Sequence, residues 1–326
     1  MRSDIESVNL KIVVLDGQTL GDDLDLSLLE SYGELQVYSS TKEDQVLKRC
    51  QGAEIVISNK VPLNRNTIAE LKSLQMIQVA ATGYNNVDLE AASECGVAVC
   101  NVSGYSTNSV AEHTFALYFG LQRQLLAAQE YSLSKWQESP VFCEVPFSFE
   151  ELSHSVWGIL GMGNIGKRVA QLASGFGARV IHYSVSDPDS SEYSWEEFLA
   201  KVDVLSIHCK LSEKTNSLLD DRALSWMKDH AMVLNLARGE IINEAAMISQ
   251  LKSDRLYFGL DVLSEEPPFE SGRGLSAGIV SLRDCPRFQL TPHMAWNSLS
   301  SRRSLLSKMC ENIQSFLEGG SLNRVD

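Results

Sequence analysis

The sequence lacks the patterns that mark several common classes of protein. It contains no C-x-x-C pair, and its seven cysteines are scattered, so neither a zinc site nor a disulfide framework is indicated. No apolar stretch approaches the roughly 18 residues that a membrane-spanning helix needs. The N-terminal residues MRSDIESVNLK are too polar for a signal peptide. We therefore predict a cytoplasmic protein that holds no metal ion and has no membrane partner.

Positive charge is also scarce. The 326 residues carry 28 basic and 42 acidic side chains, which gives a net charge of −14. Nucleic acids and anionic membranes need basic patches, so neither is an expected partner. An anionic substrate would have to be held by a local positive site, because the overall field of the protein repels it.

Short β-branched runs alternate with helix-like segments along most of the chain, whose length fits about two domains. The predicted strands of the first hundred residues are KIVVLDG (11–17), LQVYSS (35–40), AEIVISN (53–59), MIQVAATG (76–83) and VAVCNV (97–102). From Val156 onward the predicted strands are VWGIL, RVIHY, DVLSIHC, AMVLNL, LYFGLDVL and FQLTPH. Strand–helix alternation predicts parallel sheets, so the expected fold class is α/β with two doubly wound units.

The clearest helix signals lie at 64–73, with Asn64 as a candidate N-cap, at 109–131 and at 301–318. The apolar spacing of 109–131 predicts one long helix. The segment 132–150 is irregular and rich in aromatic residues. It either covers a partner subunit or the active site, or it packs on its own domain.

The segment GMGNIG places Gly161, Gly163 and Gly166 in the G-x-G-x-x-G spacing of a dinucleotide-binding turn. The first glycine allows a tight turn, the second a close approach to the pyrophosphate, and the third close packing of helix on strand. The turn follows a predicted strand and begins a predicted helix, whose N-terminus favours an anion.

The residue expected to bind the adenosine ribose does not decide between NAD and NADP. An acid usually ends the next strand and bonds the 2′-hydroxyl, but Ser184 stands here and the nearest acid is Asp187. A serine can bond either a 2′-hydroxyl or a 2′-phosphate, so both NAD and NADP are candidates. Lys210, after the following strand, either holds a 2′-phosphate or is a solvated surface lysine.

Three polar groups follow predicted strands near the C-terminal end: Arg238 in NLARG, Glu266 in DVLSEEP and His293 in TPHMAW. Ligands of open α/β sheets bind at the carboxyl ends of the strands. An arginine can hold a carboxylate and a carbonyl in a fork, and a histidine paired with a carboxylate can deliver a proton. Backbone N–H groups around Thr82–Gly83 offer a second anion site. Each group alone could also have only a structural role, but their joint placement favours reduction of a 2-oxo acid.

These segments give the chain a resemblance to the D-isomer-specific 2-hydroxyacid dehydrogenases. GMGNIG, NLARGEIINEAAM, LDVLSEEPP and TPHMAW are similar to the signature blocks of that family and occur in its order. SNKVPLN with Lys60, VAATGYNNVDLEAA, NVSGYSTNSVAEHTFAL, KWQESPVFC and Trp296 resemble the glycerate dehydrogenase, or hydroxypyruvate reductase, branch. The resemblance spans nearly the whole chain.

The resemblance implies a Rossmann-type cofactor domain (104–293) inserted into a flavodoxin-like substrate domain (1–103 and 294–326), with a dimerisation arm at 104–150. It implies that Arg238, Glu266 and His293 are catalytic. The implied cofactor-binding residues are Gly161, Gly163, Asn164, Ile165, Gly166, Ser184, Cys209, Lys210, Thr215, Leu236 and Asp261. Lys60, Thr82, Gly83, Arg238 and His293 are the implied substrate-binding residues.

The predicted function is reversible, NAD(P)-dependent reduction of hydroxypyruvate or glyoxylate to D-glycerate or glycolate by a homodimer. A dehydrogenase for another D-2-hydroxy acid, such as lactate, a branched-chain acid or 3-phosphoglycerate, is the nearest alternative. After the last predicted helix there is no room for the regulatory C-terminal domain found in many phosphoglycerate dehydrogenases, and the resemblance therefore makes a phosphorylated substrate the less favoured expectation. A cofactor-sensing protein without turnover is the alternative of a different class.

Overall fold

The computed structural model describes residues 10–143, 149–267 and 274–326. The chain forms two compact units: unit 1 comprises Met1–Ser106 and Asn297–Asp326, and unit 2 comprises Thr107–Trp296. Both are α/β units built on parallel sheets, as the strand–helix alternation predicts. Residues 144–148 of the predicted arm lie outside the described residues. Within the described ranges, none of the helices combines the length and the apolar character needed to cross a bilayer.

Unit 1 contains a five-stranded sheet in the order β2-β1-β3-β4-β5, which is the flavodoxin-like order. Its strands are β1 (Leu10–Val14), β2 (Gly33–Val37), β3 (Ile55–Ser58), β4 (Met76–Val79) and β5 (Ala98–Cys100). Its helices are α1 (Val46–Arg49), α2 (Arg65–Glu70), α3 (Leu89–Glu94) and the last helix of the chain, α11 (Leu299–Leu317). The Asn64 side chain caps α2 by accepting from the Thr67 N–H, as the sequence predicts.

Both faces of the first sheet are covered, so its central strands are apolar on both sides. One face packs against α1, α2 and α3. Leu305, Leu306, Met309 and Ile313 of α11 cover the other face. The amide of Asn312 in the same helix bonds the Gln78 side chain and the Asn101 carbonyl, at 3.0 and 2.9 Å. The last helix is therefore an integral layer of unit 1.

Unit 2 contains a six-stranded sheet in the order β11-β10-β9-β8-β6-β7. Its strands are β6 (Val156–Leu160), β7 (Arg179–Tyr183), β8 (Val204–Ile207), β9 (Met232–Asn235), β10 (Tyr257–Leu260) and β11 (Phe288–Leu290). Its helices are α4 (Thr107–Gln122), α5 (Leu125–Ser134), α6 (Asn164–Gly175), α7 (Trp195–Lys201), α8 (Asp221–Ser225), α9 (Glu244–Lys252) and α10 (Ala277–Val280). The chain reverses its direction across the sheet between β6 and β8, which places the ligand crevice of this fold beside those two strands.

The prediction of one long helix over 109–131 is wrong. The helical path breaks at Gln124, whose φ of 48° and ψ of 41° are left-handed. The apolar spacing of the sequence continues past the break, but the burial of side chains does not. Helix α4 buries seven side chains, whereas α5 buries none. The Arg123 guanidinium lies 3.6 Å from the centre of the Phe149 ring. The two helices therefore meet at a corner formed by Gln124.

Candidate active site

The glycine turn of unit 2 has the geometry that a dinucleotide requires. Gly161 has φ +97°, and a Cβ there would lie 2.8 Å from the Cys209 nitrogen. A Cβ at Gly166 would lie 2.1 Å from the Gly161 carbonyl oxygen, so α6 can begin this close to the turn only with glycine. A Cβ at Gly163 would meet no atom within 4 Å. The first and third glycines are required by the fold itself, whereas the second leaves open space beside the N-terminus of α6.

The loop after β7 holds Ser184 in a local hydroxyl network. The Ser184 N–H donates to Ser191 Oγ at 3.0 Å, and the Asp187 N–H donates to Ser184 Oγ at 3.2 Å. Ser184 Oγ also lies 3.3 Å from Ser186 Oγ. The Asp187 backbone therefore folds back onto Ser184, and this acid stays close to the position where the ribose-binding group is expected.

Cys209, Lys210 and Thr215 lie in the loop after β8, across the switch point from Gly161. The Thr215 hydroxyl is buried and donates to the Lys210 carbonyl at 2.8 Å, which closes the loop. Burial raises the pKa of the Cys209 thiol to about 11, so this thiol stays protonated near neutral pH. The contact between Gly161 and Cys209 shows that the predicted cofactor residues of the two loops meet at one end of the sheet.

The Arg238 loop is held by Asn235, the fully buried last residue of β9. The Asn235 amide donates to the Arg238 carbonyl at 2.8 Å, and its oxygen accepts from the Ala237 N–H at 3.0 Å. A Cβ at Gly239 would lie 1.9 Å from the Leu263 carbonyl carbon. The Arg238 loop therefore presses directly on the backbone of the loop that carries Glu266.

Glu266 and His293 form a direct pair. Glu266 Oε2 lies 2.7 Å from His293 Nδ1, and Glu266 Oε1 accepts from the Leu263 N–H at 3.1 Å. Each side chain retains partial exposure, 31% for Glu266 and 26% for His293. The carboxylate is thus fixed by its own loop and engages Nδ1, which leaves Nε2 as the ring nitrogen free of this contact.

Asp261, at the end of β10, positions the loop that carries His293. Its buried carboxylate accepts from the Thr291 hydroxyl at 2.6 Å, from the Met294 N–H at 2.9 Å and from the Ala295 N–H at 2.8 Å. Its carbonyl accepts from the His293 N–H at 2.8 Å. His293 has φ +51°, which a non-glycine residue adopts only when surrounding contacts impose it. The Asp261 side chain supplies those contacts.

Thr82, Gly83 and Lys60 lie in unit 1, at the carboxyl ends of its strands. The Thr82 hydroxyl donates to the Val102 carbonyl at 3.0 Å. Within the described ranges, neither the Thr82 N–H nor the Gly83 N–H donates to another residue. These two donors are therefore available to an anion. The Lys60 N–H donates to Asp16 at 2.6 Å.

A family model for the NAD-binding domain of D-isomer-specific 2-hydroxyacid dehydrogenases matches residues 115–295, which is more than half of the chain. The chain belongs to the D-isomer-specific 2-hydroxyacid dehydrogenase family. The glycerate dehydrogenase of Methylorubrum extorquens is 33% identical over 97% of this chain and 99% of its own. The hydroxypyruvate reductase of Blautia hydrogenotrophica is 32% identical over 97% of this chain and 100% of its own.

A solved structure of an acyclic imino acid reductase, in complex with NADPH and D-Arg, is also similar to this dehydrogenase. Its TM-score is 0.85 at 27% identity, and the match covers 97% of this chain and 100% of the other. The predicted resemblance to the glycerate dehydrogenase and hydroxypyruvate reductase branch is confirmed, and the protein is a nicotinamide-dependent oxidoreductase.

The glycine turn of this dehydrogenase fits its cofactor. The space that a Cβ at Gly163 would enter is open, and Asn164 and Ile165 begin α6 directly behind it. Leu236 is buried beside this end of the sheet among residues that include Ile159. The turn thus has room for a dinucleotide beside Gly163, and a bound nicotinamide would supply a hydride.

Sequence reasoning missed four residues that the structure of the dehydrogenase places at strand ends or beneath the predicted site. Asp16 and Asn235 hold the loops that carry Lys60 and Arg238. His113 of α4 lies 3.0 Å from Thr291 Oγ1, beneath the His293 loop. His208 follows β8, and its Nε2 is buried without a hydrogen-bond partner among the described residues. The sequence shows Asn235 and His208 as polar residues at the ends of buried strands, so both could have been noticed. The contacts of Asp16 and His113 join distant parts of the chain and leave no local pattern in the sequence.

Proposed function

We propose that this dehydrogenase reduces hydroxypyruvate or glyoxylate to D-glycerate or glycolate, and that Arg238, Glu266 and His293 are its catalytic residues. The observation that carries the proposal is the 2.7 Å contact between Glu266 and His293. The loop that carries Glu266 is packed against the loop that holds Arg238. The relatives named glycerate dehydrogenase and hydroxypyruvate reductase support this choice of substrates.

The roles follow from the chemistry of each group. The Arg238 guanidinium offers a planar fork that matches the carboxylate and carbonyl oxygens of a 2-oxo acid. Reduction adds a hydride to the carbonyl carbon and a proton to the carbonyl oxygen. His293 Nε2 donates that proton, and Glu266 stabilises the imidazolium before transfer. The free N–H groups of Thr82 and Gly83 provide a second anion site for the substrate.

The test is a kinetic panel with the purified full chain. Hydroxypyruvate, glyoxylate, pyruvate, 2-oxoisocaproate and 3-phosphohydroxypyruvate are each mixed with NADH and then with NADPH, and the loss of reduced cofactor is followed by absorbance. We expect the largest kcat/KM for hydroxypyruvate or glyoxylate. A larger value for pyruvate or 2-oxoisocaproate would favour the alternative D-2-hydroxy acids. No turnover of any acid with either cofactor would contradict the proposal.

Arg238→Lys tests the guanidinium fork in the same assay. Lysine keeps the charge but cannot form two parallel hydrogen bonds, so we expect kcat/KM to fall by about 100-fold. Arg283→Lys, at an exposed position of the same unit, is the matched control and should leave kcat/KM unchanged. An Arg238→Lys variant with the activity of the wild type would remove Arg238 from its proposed role.

Two further parts of the proposal concern the assembly and the location of the protein. We propose a homodimer formed through the region of α5, where Leu126, Leu133 and Phe142 are 78%, 80% and 89% exposed. Light scattering of Leu126→Glu/Leu133→Glu should show a monomer, whereas Leu28→Glu in unit 1 should match the wild type.

All seven cysteines are unpaired thiols, which agrees with the predicted cytoplasmic location.

The comparisons do not favour a cofactor-sensing protein without turnover. The matched relatives bear the names of enzymes. Each of the three predicted catalytic residues lies on a loop that its own neighbours hold in place.

A further inference from the structure

The buried carboxylate of Asp16 closes a turn at the carboxyl ends of the strands of the first sheet. Asp16 is 5% exposed. The Asn59 N–H donates to its two oxygens at 3.0 and 3.1 Å, the Lys60 N–H to Oδ2 at 2.6 Å and the Val61 N–H to Oδ2 at 3.3 Å. Successive N–H groups that converge in this way form an anion-binding nest. In this chain the anion in the nest is the protein's own carboxylate.

The position of this contact in the fold makes it relevant to a ligand. Asp16 follows β1, and Asn59 directly follows β3. The sheet order is β2-β1-β3-β4-β5, so the topological switch point lies between β1 and β3. Open α/β sheets bind ligands at the carboxyl ends of the strands at such a point. The Asp16 carboxylate therefore fills the anion nest that lies at the switch point of unit 1.

The charge of Lys60 belongs to the same arrangement. Burial raises the pKa of Asp16, while the three N–H groups and the nearby Lys60 ammonium oppose that rise. Both carboxylate oxygens accept hydrogen bonds, as the ionised form can and a protonated carboxyl cannot do equally well. Asp16 and Lys60 thus bring opposite charges to this edge, and their sum is close to zero.

We propose that Asp16 is a specificity-determining positioning residue: it fills the anion nest of the 59–61 turn and offsets the charge of Lys60. Unit 1 then favours 2-oxo acids whose third carbon bears hydrogen or a hydroxyl group. It disfavours those that carry a phosphate or a second carboxylate there, because the nest is filled and the Asp16 carboxylate offsets the charge of the nearby Lys60. This inference rests on the proposed function and adds the substrate class that the site excludes.

The test compares kcat/KM for hydroxypyruvate with that for 3-phosphohydroxypyruvate. Asp16→Asn removes the negative charge, so we expect the ratio of phosphorylated to unphosphorylated substrate to rise about tenfold. Inorganic phosphate should become a competitive inhibitor of this variant against hydroxypyruvate. Lys60→Gln removes the positive charge that the Asp16 carboxylate offsets, so the same ratio should fall about tenfold. In the double variant the ratio should return close to that of the wild type.

Glu54→Gln is the matched control. Glu54 accepts from the Lys11 N–H at 2.7 Å, between the same two strands but at their amino ends. It loses a comparable carboxylate contact and should keep the substrate ratio of the wild type. A purely structural role of Asp16 would lower kcat/KM for both acids equally, and this result would overturn the inference.

The failures of the two proposals can be told apart. A wild type without turnover of any 2-oxo acid contradicts the proposed function. Turnover by the wild type, with an unchanged ratio in Asp16→Asn, overturns only the inference on Asp16. If Asp16→Asn does not fold, the exposed Lys60→Gln change decides alone: a tenfold lower ratio supports the charge balance, and an unchanged ratio overturns it.

Discussion

His293 Nδ1 lies 2.7 Å from Glu266 Oε2, and this contact leaves Nε2 as the ring nitrogen for the proposed transfer of a proton. The carboxylate is not free to turn away, because its second oxygen accepts the Leu263 N–H at 3.1 Å. The backbone of His293 is also fixed, since the Asp261 carbonyl accepts the His293 backbone N–H at 2.8 Å. The pair is therefore preorganised, as a group that must deliver a proton at one defined point requires.

The first prediction concerns the pH dependence of reduction. Glu266→Gln removes the negative charge that favours the imidazolium, which is the form that donates the proton. We expect the pH profile of kcat/KM for reduction to move toward acid. The measurement is a pH series with hydroxypyruvate at a fixed cofactor concentration.

Glu265→Gln is the control for this change, because it removes an equal charge from the adjacent, exposed residue. Its pH profile should match that of the wild type. An unchanged profile in Glu266→Gln, or equal shifts in both variants, would argue that the Glu266–His293 contact does not govern proton delivery.

The second prediction compares Gly163, which we propose contacts the cofactor, with Gly166, which the packing of the fold requires. A methyl group at Gly163 meets no protein atom within 4 Å, whereas one at Gly166 would lie 2.1 Å from the Gly161 carbonyl oxygen. Gly163→Ala should therefore keep the melting temperature within about 2 °C and weaken NADH binding by about tenfold or more, because the methyl enters the space of the pyrophosphate. Gly166→Ala should lower the melting temperature clearly.

Calorimetry and a fluorescence titration with NADH measure the two effects. Gly175→Ala is the control, since its Cβ would also meet nothing within 4 Å but it lies at the other end of α6. Tight NADH binding by Gly163→Ala would show that the open space at Gly163 is not part of the cofactor site.

Much of this architecture could be predicted from the sequence, because its signals are local. Strand runs, the glycine spacing and the Asn64 cap depend on residues within a few positions of one another. The break at Gln124 could not be predicted, since the apolar spacing of the sequence continues through it. Asp16 and Asn59 are 43 residues apart in sequence, and no local pattern joins them.

The third prediction concerns the choice between NADH and NADPH. Ser184 is neutral, but the Asp187 backbone folds back onto its hydroxyl. Ser184→Asp adds a carboxylate that repels a 2′-phosphate and can bond a 2′-hydroxyl. We expect the ratio of kcat/KM with NADPH to that with NADH to fall by about tenfold or more.

Ser190→Asp places the same charge on an exposed residue of the same loop and serves as the control. Its cofactor ratio should change less than that of Ser184→Asp. Equal changes in the two variants would mean that the overall charge of the loop, and not position 184, sets the cofactor preference.

The fourth prediction concerns His208, whose Nε2 is buried without a partner in the described ranges. Burial lowers the pKa of His208 to about 3, whereas an unfolded histidine titrates near 6.5. As the pH falls below about 6.5, the unfolded chain binds a proton that the folded chain refuses, so stability is lost progressively down to about pH 3. Between pH 7 and pH 5 this single group should cost about 2 kcal/mol of unfolding free energy. His208→Phe should remove that part of the pH dependence in urea unfolding of the full chain, whereas His182→Gln, at an exposed histidine of β7, should retain it. Equal pH slopes in the wild type and His208→Phe would show that the folded protein accepts a proton at His208.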